Sequence, residues 1–403
     1  MMISVKTTLF LAVVLASERV KALVIPRNEP FQSFGGFLDP IIVSSQAQKA
    51  TCISGIVPVS VTAQTEKFNY DMPPNQTVVT ETWVEFYQAN SQLLTNISGG
   101  QTTISATFNI SARLCYPKTQ QQDSWKSVQF LTHGVGYNKD YWDFAPGYSF
   151  VDIAAEAGYP TFFFDRLGTG ASDHPDPIQV VQSSTQVEIA HSLVQMLRAG
   201  EFAGQAFEEV VGVGHSYGSI LTVGVAASYP EDYSAIVLTG FSTNTTGSFP
   251  AFAALNPEIA AESRSNRFGS LPTGYLVVAT PIGLQLGYYR FPNFDPSILS
   301  QDFATAEPVT LGEAFTLASV IGPSPDFLGP VDVVNGENDA FFCDSDCNYP
   351  VDLTAAVQPA LYPNASAGSR FLNVPGTGHD LSLHYTIDQA YAQVQEFVKD
   401  NGF

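Results

Sequence analysis

The pentapeptide Gly214-His215-Ser216-Tyr217-Gly218 lies between an apolar run, Val210 to Val213, and a second apolar stretch, Ile220 to Ser228. No other feature constrains the chain as much. A G-x-S-x-G spacing between a strand and a helix places a serine on a turn so sharp that only small residues fit on both sides. The serine hydroxyl is thereby held out at the end of a sheet. The bare pattern arises often by chance, and it is the flanking strand and helix that make Ser216 a candidate nucleophile.

That strand belongs to a series. Val128–Thr132, Thr161–Asp165, Val210–Gly214, Ala235–Leu238, Val331–Val334 and Phe371–Val374 read as strands, while Val187–Leu197 and Ile387–Val398 carry helical periodicity. The alternation predicts an α/β fold with a mostly parallel sheet and flanking helices. Ahead of it, Ile56–Thr62, Val78–Phe86 and Thr103–Phe108 are rich in β-branched residues. Turn clusters at Pro73-Pro74-Asn75 and Ser98-Gly99-Gly100 separate them. This predicts an antiparallel β extension joined edge-on to the main sheet.

Between about Phe241 and Leu328 the strand rhythm stops and aromatic residues accumulate, which predicts an inserted helical cap. Its apolar centre, Leu276 to Tyr289, is too short and too interrupted by Pro281 to span a membrane. The expected division is a leader at 1–22, an N-terminal β extension at 23–126, a core at 127–240 and 329–403, and the cap at 241–328.

Further motifs end the predicted strands. Leu131-Thr132-His133-Gly134-Val135-Gly136 follows the first, and Asp165-Arg166-Leu167-Gly168-Thr169-Gly170-Ala171-Ser172 follows the second. Glu337-Asn338-Asp339 follows the strand after the cap, and Gly376-Thr377-Gly378-His379 follows the last. In these segments the chain, over roughly residues 125–400, resembles the α/β-hydrolase superfamily. The branch it resembles includes epoxide hydrolases, prolyl iminopeptidases and esterases.

The resemblance implies a nucleophile–acid–histidine order, with Ser216 as nucleophile, Asp339 as acid and His379 as base. Glu337 and Asp332 are rival acids, and His384 is the one other histidine to test beside His379. Val135 and Tyr217 amides are the expected oxyanion donors, and His133 is expected to brace its loop. Asp165 precedes the serine and reads as a structural turn residue. A serine at the elbow departs from the aspartate of epoxide hydrolases and dehalogenases, which argues against both activities.

The first residues carry Lys6, an apolar run from Leu9 to Ala16, and small residues up to Ala22. This predicts a secretory signal cleaved after Ala22, with Ala16 as the alternative, and hence an extracellular protein. Five N-x-[ST] sequons, at Asn75, Asn96, Asn109, Asn244 and Asn364, are expected to be glycosylated. Four cysteines are expected to pair as Cys52–Cys115 and Cys343–Cys347, since each pair lies within one predicted unit. Zinc at the second pair is the weaker reading, because no histidine cluster accompanies it. The net charge of −21 repels phosphate backbones and anionic lipid, which argues against nucleic-acid and membrane-surface partners.

The expected function is therefore a secreted serine esterase, without cofactor or metal, acting on a small hydrophobic carboxylic ester or lactone. The aromatic cap, with Tyr137, Tyr141 and Trp142 at the pocket rim, motivates the hydrophobic substrate. One alternative is an aminopeptidase using cap carboxylates (Glu258, Glu262, Glu307, Glu313) to hold an ammonium group. The others are an acyltransferase or cyclase with the same triad, and a non-catalytic binding module.

Overall fold

A computed structural model describes residues 33–118 and 125–403. The predicted leader lies outside the described residues. The predicted sheet is present as nine strands: β1 Leu38–Ser44, β2 Ala50–Phe68, β3 Ser98–Pro117, β4 Ser127–Thr132, β5 Thr161–Phe164, β6 Glu209–His215, β7 Ala235–Thr239, β8 Val331–Gly336 and β9 Arg370–Val374. Their spatial order is β1-β2-β3-β5-β4-β6-β7-β8-β9. The run from β5 to β9 is parallel, whereas β1, β2 and β3 add antiparallel to the β5 edge.

Sequence dictates this division. β4, β6 and β7 are buried almost along their whole length, as strands covered on both faces must be. β2 alternates instead. Val57, Val59 and Val61 face the core while Pro58, Ser60 and Thr62 face solvent, where Ser60–Thr107 and Thr62–Ser105 pair across the strands at 2.7 and 3.0 Å. Both expected disulfides, Cys52–Cys115 across β2 and β3 and Cys343–Cys347, are formed.

The β-rich reading of the N-terminal part fails at one place. Val78–Phe86, expected as a strand, lies in a helix, α1 Gln76–Tyr87, followed by a short α2 Leu93–Ile97. The Asn75 side chain accepts from Val78 N–H at 3.1 Å and caps the helix. Val79, Thr82 and Trp83 then form one buried stripe at helical spacing. β-branched content pointed to a strand, and packing against the cap overrode it.

Helices α3 Phe150–Ala157, α4 Ser183–Ala199 and α5 Tyr217–Ser228 follow in the core. Between β7 and β8 the chain forms α6 Ser248–Leu255, α7 Pro281–Tyr288, α8 Pro296–Thr305 and α9 Leu311–Thr316. A small three-stranded sheet joins them. α10 Ala340–Cys343 follows β8, and α11 Ile387–Asp400 closes the chain. A second apolar cluster, separate from the main core, joins α1 and α2 (Val79, Trp83, Leu93, Ile97) to the insertion (Ile259, Leu276, Leu311, Phe315). Because β5 and β6 flank β4 on opposite sides, the loops after β4 and β6 diverge at the carboxyl ends of neighbouring strands. Open α/β sheets bind ligands in that crevice.

Candidate active site

Ser216 occupies that crevice in a strained backbone conformation, φ 55° and ψ −119°. The strain is held by Ser216 N–H donating to Thr239 O at 2.8 Å and Ser219 Oγ donating to the same carbonyl at 2.9 Å. The flanking glycines are sterically required. A Cβ on Gly218 would lie 1.9 Å from Thr132 O, and one on Gly214 would lie 2.5 Å from the Ser219 backbone.

The three residues expected to act together do meet. Ser216 Oγ lies 2.7 Å from His379 Nε2, and Asp339 Oδ2 lies 2.7 Å from His379 Nδ1. Asp339 is oriented in turn by accepting from Phe341 N–H at 2.8 Å and Phe342 N–H at 3.0 Å, at the start of α10. The rivals lie elsewhere. Glu337 accepts from Gly376 N–H at 3.1 Å and Asn348 Nδ2 at 3.3 Å, and Asp332 accepts from Gln393 on α11. His384 braces the histidine loop, its Nε2 accepting from Gly378 and Arg290 amides at 3.1 and 2.9 Å. Burial pulls its imidazole down to about 4.

The His379 ring is packed among Phe341, Tyr288 and Phe342, with centroids at 4.7, 5.4 and 5.9 Å. This burial pulls its pKa down. The Asp339 charge and hydrogen bond, with the Asp380 charge, outweigh it and leave His379 above its ordinary value.

Val135 and Tyr217 both border Ser216. Tyr217 opens α5, where the first amides have no intrahelical acceptor. On the loop after β4, each carbonyl from residue 133 to 136 is held from outside the loop. Arg166 Nε donates to His133 O and its Nη2 to Gly134 O, both at 3.1 Å. Tyr288 O–H donates to Val135 O at 3.2 Å, and Glu307 N–H to Gly136 O at 2.8 Å. Turning the carbonyls outward fixes the peptide planes before any ligand arrives, which is how an oxyanion site avoids reorganisation. His133 accepts from Arg166 N–H at 3.0 Å through Nε2 and donates to Gly134 O at 3.0 Å through Nδ1, a bracing role. Burial and the Arg166 charge hold it well below the usual histidine range.

Arg166 itself is fully buried and ion-paired with Glu313 of α9. Its guanidinium lies 4.7 Å from the Tyr217 ring centroid. The D-R-x-G-x-G-x-S motif could have pointed to it, but only the fold brings it to this loop. Asp165 is the turn residue expected, paired with the buried Lys139 at 2.8 Å and accepting from Ala171 N–H at 2.9 Å.

A second polar cluster backs His379, and no sequence motif ties its members together. Thr239 Oγ1 donates to Gly214 O at 2.8 Å, so it accepts from His215 Nδ1–H at 3.1 Å. His215 Nε2 then needs a proton from Asp380 Oδ1, 3.1 Å away. Burial and the His379 charge hold His215 well below its ordinary value. The contact is therefore a neutral imidazole accepting from Asp380 while that carboxyl holds its proton, and the Asp380 charge appears only as the carboxyl ionises. Burial pushes Asp380 up to about 7, although the His379 charge and the Tyr137 hydrogen bond pull it back.

Tyr137 O–H lies between Asp380 Oδ2 and Asp302 Oδ2, the latter 3.1 Å away, and its single proton can serve only one of them at a time. Tyr289 O–H donates to that Asp302 oxygen at 2.6 Å. Burial first, and then the Asp380 charge, push Asp302 well above the carboxylate range. The aromatics expected at the pocket rim thus serve otherwise. Tyr137 joins this cluster, Tyr141 stacks on His215 at 4.6 Å, and Trp142 packs on Phe150.

A parallel sheet carrying its polar site at the strands' carboxyl ends, with an insertion folded above, defines a hydrolase of the α/β type. The chain belongs to the alpha/beta hydrolase family, whose model matches residues 130–394. No curated protein matches it in sequence. Among solved structures, it is similar to a thermophilic esterase from Thermogutta terrifontis, at 14% identity and TM-score 0.49 over 73% of this chain and 95% of that one. It is also similar to the alpha/beta hydrolase GrgF from Penicillium sp. sh18, at 16% identity and TM-score 0.47 over 73% and 94%.

Proposed function

We propose that this chain is a secreted serine hydrolase that cleaves a small hydrophobic carboxylic ester or lactone through an acyl-enzyme. The observation that carries the reading is the continuous chain Ser216–His379–Asp339, with 2.7 Å at both junctions. His379 Nε2 takes the Ser216 proton as Oγ attacks the carbonyl carbon. Asp339 holds Nδ1–H and stabilises the imidazolium that forms. The carbonyl oxygen, now negative, lies against the Val135 and Tyr217 amides. Collapse of the tetrahedral intermediate expels the alkoxide, which takes the proton from His379, and water repeats the sequence in reverse roles.

The acid loop is clipped by Cys343–Cys347, and Ser345 N–H donates to Asp339 O at 2.8 Å. Both support a fixed carboxylate. Two of the four cap carboxylates, Glu307 and Glu313, argue against the aminopeptidase reading. Glu313 is engaged by Arg166, Gln186 and Thr310, and Glu307 pairs with Arg267 at 2.6 Å. Neither has a free charge for an ammonium group.

Secretion is supported by the two cystines and by sequon residues Asn75, Asn96, Asn109 and Asn364, all exposed. No helix among the described residues is long and apolar enough to cross a membrane. The test is labelling by a fluorophosphonate probe, followed by a panel of neutral esters, lactones and aminoacyl amides. Faster cleavage of prolyl amides than of any neutral ester of similar size would overturn the ester reading.

A further inference from the structure

The wall of the substrate space is completed by a part of the chain that the family match does not cover. Ser216 opens into a narrow neck of about 10 Å³. The neck shares Val135, Tyr217, Ser248, Phe252 and Leu317 with a chamber of about 310 Å³, so the two adjoin along these five residues. The far wall of that chamber is Trp83, Phe86, Ser91 and Leu94. These residues belong to α1, α2 and the turn between them, the helical pair inserted between β2 and β3.

The pair meets the cap through aromatic contacts. Phe86 lies 6.1 Å from Phe315 and 6.3 Å from Phe249, and Tyr87 lies 5.6 Å from Phe249. Leu94 and Phe249 are 38% and 48% exposed while lining the chamber, which puts its mouth between α2 and α6.

We propose that α1–α2 is the second half of the lid and the far wall of an acyl-chain chamber, making the substrate an ester of a medium-length, uncharged acyl group. This deepens the ester-hydrolase reading and rests on it. Three observations fix the occupant.

The chamber lining is apolar apart from a few hydroxyls and Glu313, and both carboxylate oxygens of Glu313 are engaged by Arg166, Gln186 and Thr310. A charged group would find no free counter-charge there.

The chamber borders the two oxyanion residues but none of Tyr288, Phe341 and Phe342, the rings packed on His379. The leaving alkoxide must reach His379 for its proton, so it departs on the His379 side. The acyl chain is left to the oxyanion side, where the chamber lies.

Size sets the length. A methylene takes up a volume close to the ~30 Å³ of a liquid water. On that basis the 310 Å³ chamber holds a chain of roughly eight to ten carbons.

The test uses the whole protein, a series of n-alkyl fluorophosphonates from two to twelve carbons, and the matching ethyl esters. Labelling should quicken by about fourfold per methylene and level off near eight to ten carbons. Leu94→Trp, at the half-exposed mouth, should lower the ratio of eight-carbon to two-carbon labelling at least tenfold. Val84→Trp, on the exposed side of α1, should leave that ratio as it was. A labelling rate independent of chain length in the wild-type protein, or a ratio unmoved by Leu94→Trp, would overturn the proposal. Failure of the underlying reading looks different. Length-dependent labelling that Leu94→Trp shifts, with no ester hydrolysed, would uphold the chamber and sink the ester activity.

Discussion

At the scale of single residues, the geometry around His379 separates roles that the sequence left open. Ser216→Ala should abolish fluorophosphonate labelling and lower kcat on the order of 10⁴- to 10⁶-fold; retained turnover would remove the nucleophile. Asp339→Asn should cost on the order of 10⁴-fold, because an amide favours the wrong imidazole tautomer. Glu337→Gln loses only contacts to Gly376 and Asn348, so it should stay within about tenfold of wild type. The pH profile gives an independent reading. His379 must be neutral to take the serine proton, so kcat/KM rises as pH rises through its pKa. Asp339 and Asp380 together hold that pKa above the ordinary value. The acid limb on a neutral ester should therefore have its midpoint above ~6.5. Asp380→Asn removes one of the raising charges, and its amide can still donate to His215 and accept from Tyr137. The midpoint should move down with the limb intact, and an unmoved midpoint would show that the Asp380 charge does not act on His379.

At the scale of elements, the strand–turn–helix around Ser216 and the loops bearing Asp339 and His379 were legible because their chemistry is local. A sharp turn demands glycines, and a strand end presents its loop at the crevice. α1 was not legible, because β-branched content there competed with a helical stripe whose partners, Ile259, Leu276 and Phe315, lie far along the chain. Arg166 was visible as part of a motif, yet its partner Glu313 comes from α9, 147 residues away. That pair links the oxyanion loop to the insertion through Arg166, beside the direct bonds from Tyr288 and Glu307. Arg166→Met would leave the Glu313 carboxylate buried without its counter-charge and free the His133 and Gly134 carbonyls. The expected loss is about 3–5 kcal/mol in urea unfolding, with a lower kcat/KM. Adding Glu313→Met removes the stranded charge, and most of the stability should return. The rate should not, because the carbonyls stay unheld. Recovery of both together would show that Arg166 acts through stability alone.

At the scale of the whole molecule, the number of buried titrating groups makes stability depend on pH in a direction that can be worked out. Burial raises Asp302 well above the carboxylate range and both Asp332 and Asp380 to about 7. Between ~4 and ~7 the folded chain holds protons that the unfolded chain has released, so these groups lower stability as pH rises. His133, His215 and His384 are held below their ordinary value, with burial the leading cause. The unfolded chain takes up protons there that the folded chain refuses, so they raise stability with pH, but only up to ~6.5. The two sets oppose each other at acid pH. Above ~6.5 the histidine contribution is complete. The buried acids still fall, and His379, raised in the fold, falls with them as it loses its proton. Solvated carboxylates are already ionised there and lysines have not begun to titrate, so the large negative charge changes little across this window. The thermal midpoint should therefore vary weakly between pH 5 and 6.5 and decline from about 6.5 to 8. Asp332→Asn is the discriminating variant. It lies on β8 away from Ser216, with one oxygen lacking a partner among the described residues. If its carboxyl is protonated in the fold, the asparagine protein should lose part of the alkaline decline while keeping its activity profile. A midpoint that climbs from pH 6.5 to 8 would overturn the summed direction, and an Asp332→Asn slope equal to wild type would mean that this carboxyl is not protonated when buried.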